Sequence, residues 1–203
     1  LSNSPELFFE VQGRTIRSQP IKGTAPLGAT EEEDRALVAA LEASEKERAE
    51  LTMIVDLVRN DLGRVCAPGS VRASERFMTR LPTLHHAEQT VTGTLAEGRD
   101  TLDALAASFP PGSVTGAPKV AAMGVIGALE PCARGLCTGA IGYLSDGGDA
   151  RLSVAIRVAQ VTGDRAELHV GCGIVADSDP ERELAESTLK AKALLRALVA
   201  PDS

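Results

Sequence analysis

Residues 171–190 read Gly-Cys-Gly-Ile-Val-Ala-Asp-Ser-Asp-Pro-Glu-Arg-Glu-Leu-Ala-Glu-Ser-Thr-Leu-Lys, and the rest of the chain is best understood from this stretch. Gly171 and Gly173 carry no Cβ, so the backbone around them can approach a ligand closely. The Asp-Ser-Asp-Pro run at 177–180 predicts a helix start, because any of its three polar residues can cap a helix and proline suits the first turn. The stretch therefore predicts a glycine turn that leads into a helix.

One face of this predicted helix carries charged groups. Glu183 and Glu186 are three residues apart, and Lys190 follows Glu186 by four, so the three side chains share a face. Two carboxylates and an ammonium beside a glycine turn suit a divalent cation and an anionic small molecule. A solvated helix face with one ion pair between Glu186 and Lys190 explains the same spacing and is the alternative.

Composition narrows the classes of function. The chain has 203 residues, of which 43% are hydrophobic, a formal net charge of −7, four Phe, one Tyr and no Trp. Nucleic-acid binding favours a basic surface with stacking aromatics, so the composition argues against it. No apolar run reaches the length of a membrane span, no signal peptide is visible, and the four cysteines form no Cys-x-x-Cys pair. We therefore expect a cytoplasmic protein with reduced cysteines and no membrane contact.

The hydrophobic pattern predicts a single α+β domain over 1–203, with antiparallel strands packed against helices. Predicted helices cover 31–62 with a break near Ser44, 101–108, about 118–130 and about 180–199. Predicted strands lie near the N-terminus and within 70–81, 83–96, 137–145, 151–161 and 165–172, with 109–119 as a loop. The expected core contacts in the middle of the chain are Val71, Phe77, Val91 and Leu95. The chain starts at Leu1 and enters strand-like sequence almost at once, so we expect that an N-terminal part is absent.

Several short motifs follow one another along almost the whole chain. They are Ser4-Pro-Glu6, Pro20-Ile-Lys-Gly-Thr24, Ala49-Glu50, Met53-Ile-Val-Asp-Leu-Val-Arg-Asn-Asp-Leu-Gly63, His85-His86, Gly112-Ser-Val-Thr-Gly-Ala-Pro-Lys119, Arg134-Gly135 with Gly139-Ala-Ile-Gly-Tyr143, Ala155-Ile-Arg157 and the 171–190 stretch. Together they resemble the chorismate-utilising enzymes, a family that includes the large subunits of aminodeoxychorismate synthase and anthranilate synthase. The resemblance implies an antiparallel two-sheet sandwich with surrounding helices, here without the family's N-terminal strands.

The resemblance also implies a magnesium site and a substrate site. Glu50 and Glu186 match the magnesium ligands, with Glu183 close by, and Mg²⁺ prefers such hard oxygen ligands. Chorismate carries two carboxylates, so a bound cation would reverse the local repulsion. The implied substrate-binding residues are Thr24, His86, Thr115, Arg157, Gly171, Gly173 and Lys190. The alternatives are an exposed strand arginine for Arg157, a surface lysine for Lys190, and ordinary polar groups for the histidine and the threonines.

Lys22 separates the branches of this family. Anthranilate synthases usually have alanine at the matching position, whereas aminodeoxychorismate synthases have lysine. In the lysine branch the resemblance implies that the amine adds at ring C2 while Glu6 protonates the departing C4 hydroxyl. Ammonia then adds at C4 and expels the lysine, which gives 4-amino-4-deoxychorismate for para-aminobenzoate and folate synthesis. A surface cation is the alternative for Lys22.

The expected partner is a glutamine amidotransferase that supplies ammonia, because no Cys-His-Glu glutaminase set can be assembled from this sequence. Cys137 stands where relatives have an aromatic residue, so a substrate contact is altered or lost. Anthranilate synthase component I and a non-catalytic chorismate-binding fragment are the alternative functions. A homo-oligomer or a separate N-terminal portion would complete the sandwich. In the run 56–61 we expect structural ion pairs.

Overall fold

The computed structural model describes residues 1–81, 84–176 and 178–199. Asp177, one of the three predicted helix caps, lies outside the described residues, as does Thr83 at the start of a predicted strand. Within the described part, no helix combines the length and the apolar character that crossing a membrane requires.

Helices and strands alternate irregularly along the chain, as in an α+β fold. The helices are α1 Glu31–Ala43, α2 Glu45–Gly63, α3 Thr101–Ser108, α4 Gly112–Thr115, α5 Lys119–Leu129 and α6 Pro180–Val199. The strands are β1 Leu7–Gln12, β2 Thr15–Gln19, β3 Ile21–Pro26, β4 Arg72–Ala73, β5 Phe77–Arg80, β6 Leu84–Glu88, β7 Val91–Thr94, β8 Ala140–Leu144, β9 Ala150–Val154, β10 Ala159–Thr162 and β11 Arg165–Leu168. All strand pairs among them are antiparallel, which confirms the predicted class.

The strands form one large and one small sheet together with a separate hairpin. The large sheet has the order β4-β7-β2-β1-β9-β8, the small sheet has the order β3-β6-β5, and β10 pairs with β11. The chain passes from the large to the small sheet between β2 and β3, at the buried Pro20. It returns between β6 and β7, where the amide of Gln89 donates to the carbonyl of Pro20 at 3.4 Å. These adjacent crossings hold β3 and β6 side by side.

Polar side chains define where the helices begin. The break predicted near Ser44 is confirmed: its hydroxyl accepts from the amide of Glu47 at 3.3 Å and caps α2. At the start of α6, the carboxylate of Asp179 accepts from the amide of Arg182 at 3.0 Å. Each cap satisfies a backbone donor that would otherwise lack a partner in the first turn.

The main core lies between α2 and the large sheet. Buried side chains of α2 meet those of β1, β2 and β7, and the largest of them are Phe9, Val11, Ile16, Leu51, Leu62 and Val91. Leu51 and Leu62 of α2 are 0% and 1% exposed, so this face of the helix is closed to solvent. Burial of each such side chain contributes about 1.5–3 kcal/mol to folding. The core thereby fixes α2 against the sheet.

Three sequence predictions differ from the structure. The strand predicted over 151–161 is divided into β9 and β10, because Arg157 adopts a left-handed backbone conformation with φ of 51°. Phe77, predicted to lie in the core, is 38% exposed at the edge of the small sheet. The loop predicted over 109–119 contains the short helix α4.

Ion pairs in the run 56–61 are confirmed. Asp61 of α2 lies 2.6 Å from the ammonium of Lys119, and both side chains are largely buried, whereas the pair between Arg59 and Asp56 at 2.8 Å is exposed. Burial raises the pKa of Asp61 despite the nearby ammonium. Removing one partner of a buried pair typically costs about 3–5 kcal/mol, because the other charge is left uncompensated. This pair holds the start of α5 against α2.

Candidate active site

Lys22 lies at an irregularity of the small sheet. On β3 and β6, Ile21 pairs with Glu88 and Thr24 with His86, so three steps on one strand match two on the other. Such a bulge turns the extra residue away from its neighbours. The Nζ atom of Lys22 lies 3.3 Å from the carbonyl oxygen of Ser113. The structure thus directs this amine towards α4 and the 171–190 stretch.

Gly23 makes this bulge possible. Its φ is +90°, a conformation that side chains rarely adopt, and a Cβ there would lie 2.9 Å from Cδ1 of Leu41 and 3.2 Å from Oε2 of Glu47. At the other end of the lysine, a Cβ on Gly173 would lie 3.8 Å from the Lys22 Nζ atom. The amine therefore borders Gly173.

Glu6 precedes β1 and is buried near Lys22. Burial raises the pKa of its carboxyl group from 4.5 to about 7, while a hydrogen bond with Ser113 and the charge of Lys22 lower it and the charge of Glu88 raises it. A carboxyl group with a pKa near neutrality can donate a proton at the pH of the cell. The structure places a group suited to general-acid catalysis within electrostatic range of the lysine amine.

His86 and Thr24 form a pair on the small sheet. The hydroxyl oxygen of Thr24 lies 3.1 Å from Nδ1 of His86, and the histidine is 2% exposed. Burial and the charge of Arg157 lower the pKa of the imidazole. The ring is therefore neutral near pH 7. Its Nε2 atom is buried and has no hydrogen-bond partner among the described residues.

A cavity of about 430 Å³ opens beside this histidine. It is lined by Asn3, Pro5, Ile21, Leu81, Leu84, His86, Glu88 and Arg157. Arg157 lies between β9 and β10 with a left-handed backbone, and its carbonyl oxygen accepts from the amide of Asn3 at 3.1 Å. Small-molecule sites commonly have volumes of about 300–1,000 Å³. A half-buried guanidinium at such a cavity suits a carboxylate ligand.

Carboxylates of α2 and α6 gather at the other end of the site. Glu50 lies 3.9 Å from the ammonium of Lys46, and Glu186 lies 2.7 Å from that of Lys190. Burial raises the pKa of Glu47, and the charges of Glu50 and Glu186 raise it further. The ion pair between Glu186 and Lys190 is the one expected from spacing alone. In addition, the structure brings α6 close enough to α2 for the charge of Glu186 to affect the pKa of Glu47.

The glycine turn is tied to α6 by hydrogen bonds. The Nζ atom of Lys190 donates to the carbonyl oxygen of Gly171 at 3.3 Å. The carboxylate of Glu183 accepts from the hydroxyl of Ser178 at 2.8 Å, and its backbone carbonyl accepts from the thiol of Cys172 at 3.1 Å. Glu183 thus holds the turn in place from the helix side.

Thr115 and Cys137 are not among the residues that line the cavity. The hydroxyl of Thr115 donates to the carbonyl oxygen of Pro111 at 3.0 Å within α4, so its contact is local. The thiol of Cys137 faces the carbonyl oxygen of His169 at 3.9 Å. Substrate contact by Thr115 stays a prediction.

Three residues at this site were missed in the sequence. Glu47 precedes Glu50 by three on α2, which is the spacing that drew attention to Glu183 and Glu186. Glu88 follows His86 by two on a strand, so the two side chains share a face. Ser113 belonged to a recognised motif, but its role was not visible in the sequence, because its carbonyl oxygen accepts from the distant Lys22 amine only in the folded chain.

The carboxylates were assessed as a magnesium site. Within the described ranges, no group of three or more His, Cys, Asp or Glu side chains could hold a metal alone. Mg²⁺ usually binds one or two carboxylates and completes its shell with water and substrate oxygens. Glu50 and Glu186 fit that donor set, because the mutual repulsion that raises the pKa of Glu47 is what a cation would relieve. Their lysine partners, Lys46 and Lys190, would have to move aside.

Comparison with known protein families identifies the family of this chain. Residues 1–196 match the model of a family described as chorismate binding enzyme. The chain belongs to this family. The resemblance inferred from the motifs is therefore confirmed over nearly the whole sequence.

Similar proteins within the chorismate-binding family carry two different names. Anthranilate synthase component 1 of Thermococcus kodakarensis is 50% identical over 196 residues, covering 96% of this chain and 45% of that protein. Aminodeoxychorismate synthase of Streptomyces griseus is 48% identical over 201 residues, covering 98% of this chain and 28% of that protein. The crystal structure of anthranilate synthase component I from Streptococcus pneumoniae TIGR4 superposes with a TM-score of 0.88 at 39% identity, covering 97% and 43% of the two chains. The chain thus spans less than half the length of these relatives.

Proposed function

We propose that this chain forms the catalytic part of an aminodeoxychorismate synthase, which aminates chorismate at C4 with ammonia. The observation that carries the proposal is the Lys22 amine, directed into the site by a bulge and accompanied by the protonatable carboxyl of Glu6. Anthranilate synthase component I, which would aminate at C2, is the second candidate. The 50% identity to the Thermococcus kodakarensis protein supports that candidate at least as well.

In the proposed reaction, Lys22 acts at C2 of the substrate ring and Glu6 acts at the hydroxyl on C4. The neutral amine of Lys22 bonds to ring C2, the two conjugated ring double bonds shift, and the C4 hydroxyl leaves as water with a proton from Glu6. Ammonia then bonds to C4 as the bond between C2 and the lysine nitrogen breaks. A covalent intermediate of this kind divides one difficult substitution into two easier ones.

The remaining site residues would bind and orient the substrate. We propose that Arg157 and Lys190 hold the substrate carboxylates with the amides near Gly171 and Gly173, because an arginine fork suits a carboxylate. The pair formed by the buried His86 and the exposed Thr24 would face the ring, with Thr115 beyond it. Arg157 and His86 line the cavity, Thr24 contacts His86, and Lys190 bonds to the glycine turn. The assignment of Thr115 rests on the sequence motif alone.

Magnesium would be held by Glu50 and Glu186, with Glu183 nearby. When bound, it would supply positive charge opposite the ring carboxylate of the substrate. The proximity of Glu47, Glu50 and Glu186 supports this proposal, since the charges of Glu50 and Glu186 raise the pKa of Glu47 and a bound cation would relieve that repulsion.

Ammonia would come from a glutamine amidotransferase partner. We propose that residues 1–203 lie within one chorismate-binding catalytic domain and that glutamine is hydrolysed elsewhere.

Product analysis tests the proposed function. We expect the intact purified protein, given chorismate, Mg²⁺ and ammonium, to form 4-amino-4-deoxychorismate, identified by chromatography and mass spectrometry. Anthranilate as the main product would instead establish the second candidate. Chorismate binding without turnover would indicate a non-catalytic chorismate-binding protein and would contradict both enzymatic candidates.

Replacing Glu186 by Gln tests the magnesium ligands. The change keeps the side-chain shape but removes a charge that Mg²⁺ needs. We therefore expect the factor by which Mg²⁺ increases the affinity for chorismate to fall at least about tenfold, equivalent to about 1.4 kcal/mol. Calorimetric titration with and without Mg²⁺ measures this. Glu181→Gln, on the exposed surface of the same helix, is the matched control. Undiminished magnesium dependence in the Glu186→Gln protein would show that the ligand assignment is wrong.

A further inference from the structure

Glu88 is a buried carboxylate that none of the roles above uses. It ends β6 and is 5% exposed, and the side-chain amide of Gln19 donates a hydrogen bond to it. In the described part of the chain, no lysine, arginine or histidine forms an ion pair with it at 4.0 Å or less. A buried charge without a counter-ion is costly, and a positively charged ligand would offset that cost.

The free nitrogen of His86 is a second buried acceptor on the same strand face. The hydroxyl oxygen of Thr24 lies 3.1 Å from Nδ1 of this ring, and Nε2 is buried and has no partner among the described residues. In a neutral imidazole one nitrogen carries the proton and the other accepts. A ligand that donates an N–H to Nε2 would select the form of the ring with its proton on Nδ1.

Both acceptors line the cavity of about 430 Å³ that also contains Arg157. Glu88 and His86 are two residues apart on β6, so their side chains leave the same face of the strand. Arg157 favours anions, whereas the carboxylate and the imidazole lone pair favour a small cation with several N–H donors. We infer that the part of the cavity bordered by Glu88 and His86 is a subsite for ammonium, the nitrogen substrate of the proposed reaction.

This inference rests on the proposed function, and its protons balance. Ammonium gives one proton to the Glu88 carboxylate, and the resulting ammonia uses its lone pair to bond to C4. The bond between C2 and the Lys22 nitrogen breaks, and its electrons return to the amine. Glu6 has by then given one proton to the departing hydroxyl. Transfer of the proton from Glu88 to Glu6 restores both carboxyl groups for the next turnover.

Steady-state kinetics of the intact protein with ammonium as nitrogen source test this inference. Glu88→Gln keeps the shape and the bond from Gln19 but removes the charge, so we expect KM for ammonium to rise at least about tenfold. KM for chorismate should stay within about twofold, which also shows that the variant is folded. Glu97→Gln, an exposed carboxylate in a turn, is the control and should leave both values unchanged.

The wild-type protein provides a test that needs no variant. If the subsite binds ammonium, KM for total ammonium stays nearly constant across neutral pH, whereas binding of free ammonia alone would lower it as pH rises. An unchanged KM for ammonium in Glu88→Gln, or a rise confined to chorismate, would overturn the inference. Both results require an active wild type, so absence of amination by the wild type would instead contradict the proposed function.

Discussion

Lys22→Ala is expected to abolish 4-amino-4-deoxychorismate formation, lowering kcat by about 10³-fold or more, because the covalent route needs the amine. Chorismate binding should largely survive, since it would rest on Arg157, the glycine turn and the magnesium site. Lost rate with retained binding indicates an interaction made on the way to the transition state. Product analysis and calorimetric chorismate titration measure the two effects.

The same variant also distinguishes the two candidate reactions. Alanine leaves room for ammonia beside C2, so residual activity is expected to appear as amination at C2. In the wild-type protein, a covalent adduct of Lys22 with dehydrated substrate should be detectable by peptide mass spectrometry. Lys192→Ala, an exposed lysine of α6, is the matched control. Unchanged 4-amino-4-deoxychorismate output from Lys22→Ala would exclude Lys22 as the nucleophile.

Glu6→Gln is expected to lower kcat by about 10²–10⁴-fold, because the amide cannot protonate the departing hydroxyl. The wild-type rate should fall as pH rises above about 7, the value to which burial raises the pKa of Glu6, since the carboxyl then loses the proton it must donate. The kcat–pH profile measures this decline. A flat profile through pH 7 would remove Glu6 from the role of general acid.

Glu6 also predicts how stability depends on pH. Its pKa is about 7 when folded and 4.5 when free, so between these values the folded state holds a proton that the unfolded state has lost. Stability therefore falls as pH rises through this window, by a total on the order of 3 kcal/mol. We expect Glu6→Gln to gain stability relative to wild type above pH 7 and to lose that advantage below pH 4.5. Denaturant titrations at both extremes test the sign.

Most helices could be predicted from the sequence because their signals are local. Ser44 caps α2 through a neighbouring amide, and Thr101–Ser108 and the helix from residue 180 appear where periodicity and capping residues predicted them. The family could also be predicted, since its motifs are short runs of adjacent residues, and the match over residues 1–196 confirmed it. The predicted structural role of Asp61 was likewise confirmed by its pair with Lys119.

Other features depend on contacts between distant residues. Arg157 was predicted to lie within a continuous strand, but its left-handed backbone divides the strand where it borders the cavity. Phe77 has an apolar side chain, yet its strand lies at a sheet edge, where only one neighbour covers it. Periodicity reports which residues are apolar and cannot report how many neighbours a strand acquires.

The sequence by itself determined the family and the α+β class, and it singled out Lys22 as the candidate nucleophile, because these follow from residue types and their spacing. Only the tertiary structure decided where the Lys22 amine points and which groups surround it. The offset pairing of β3 with β6 turns the lysine out of register, and burial then raises the pKa of Glu6 and leaves Glu88 and Nε2 of His86 as acceptors at the cavity. Register and desolvation arise from the packing of strands far apart in sequence, so no local pattern contains them.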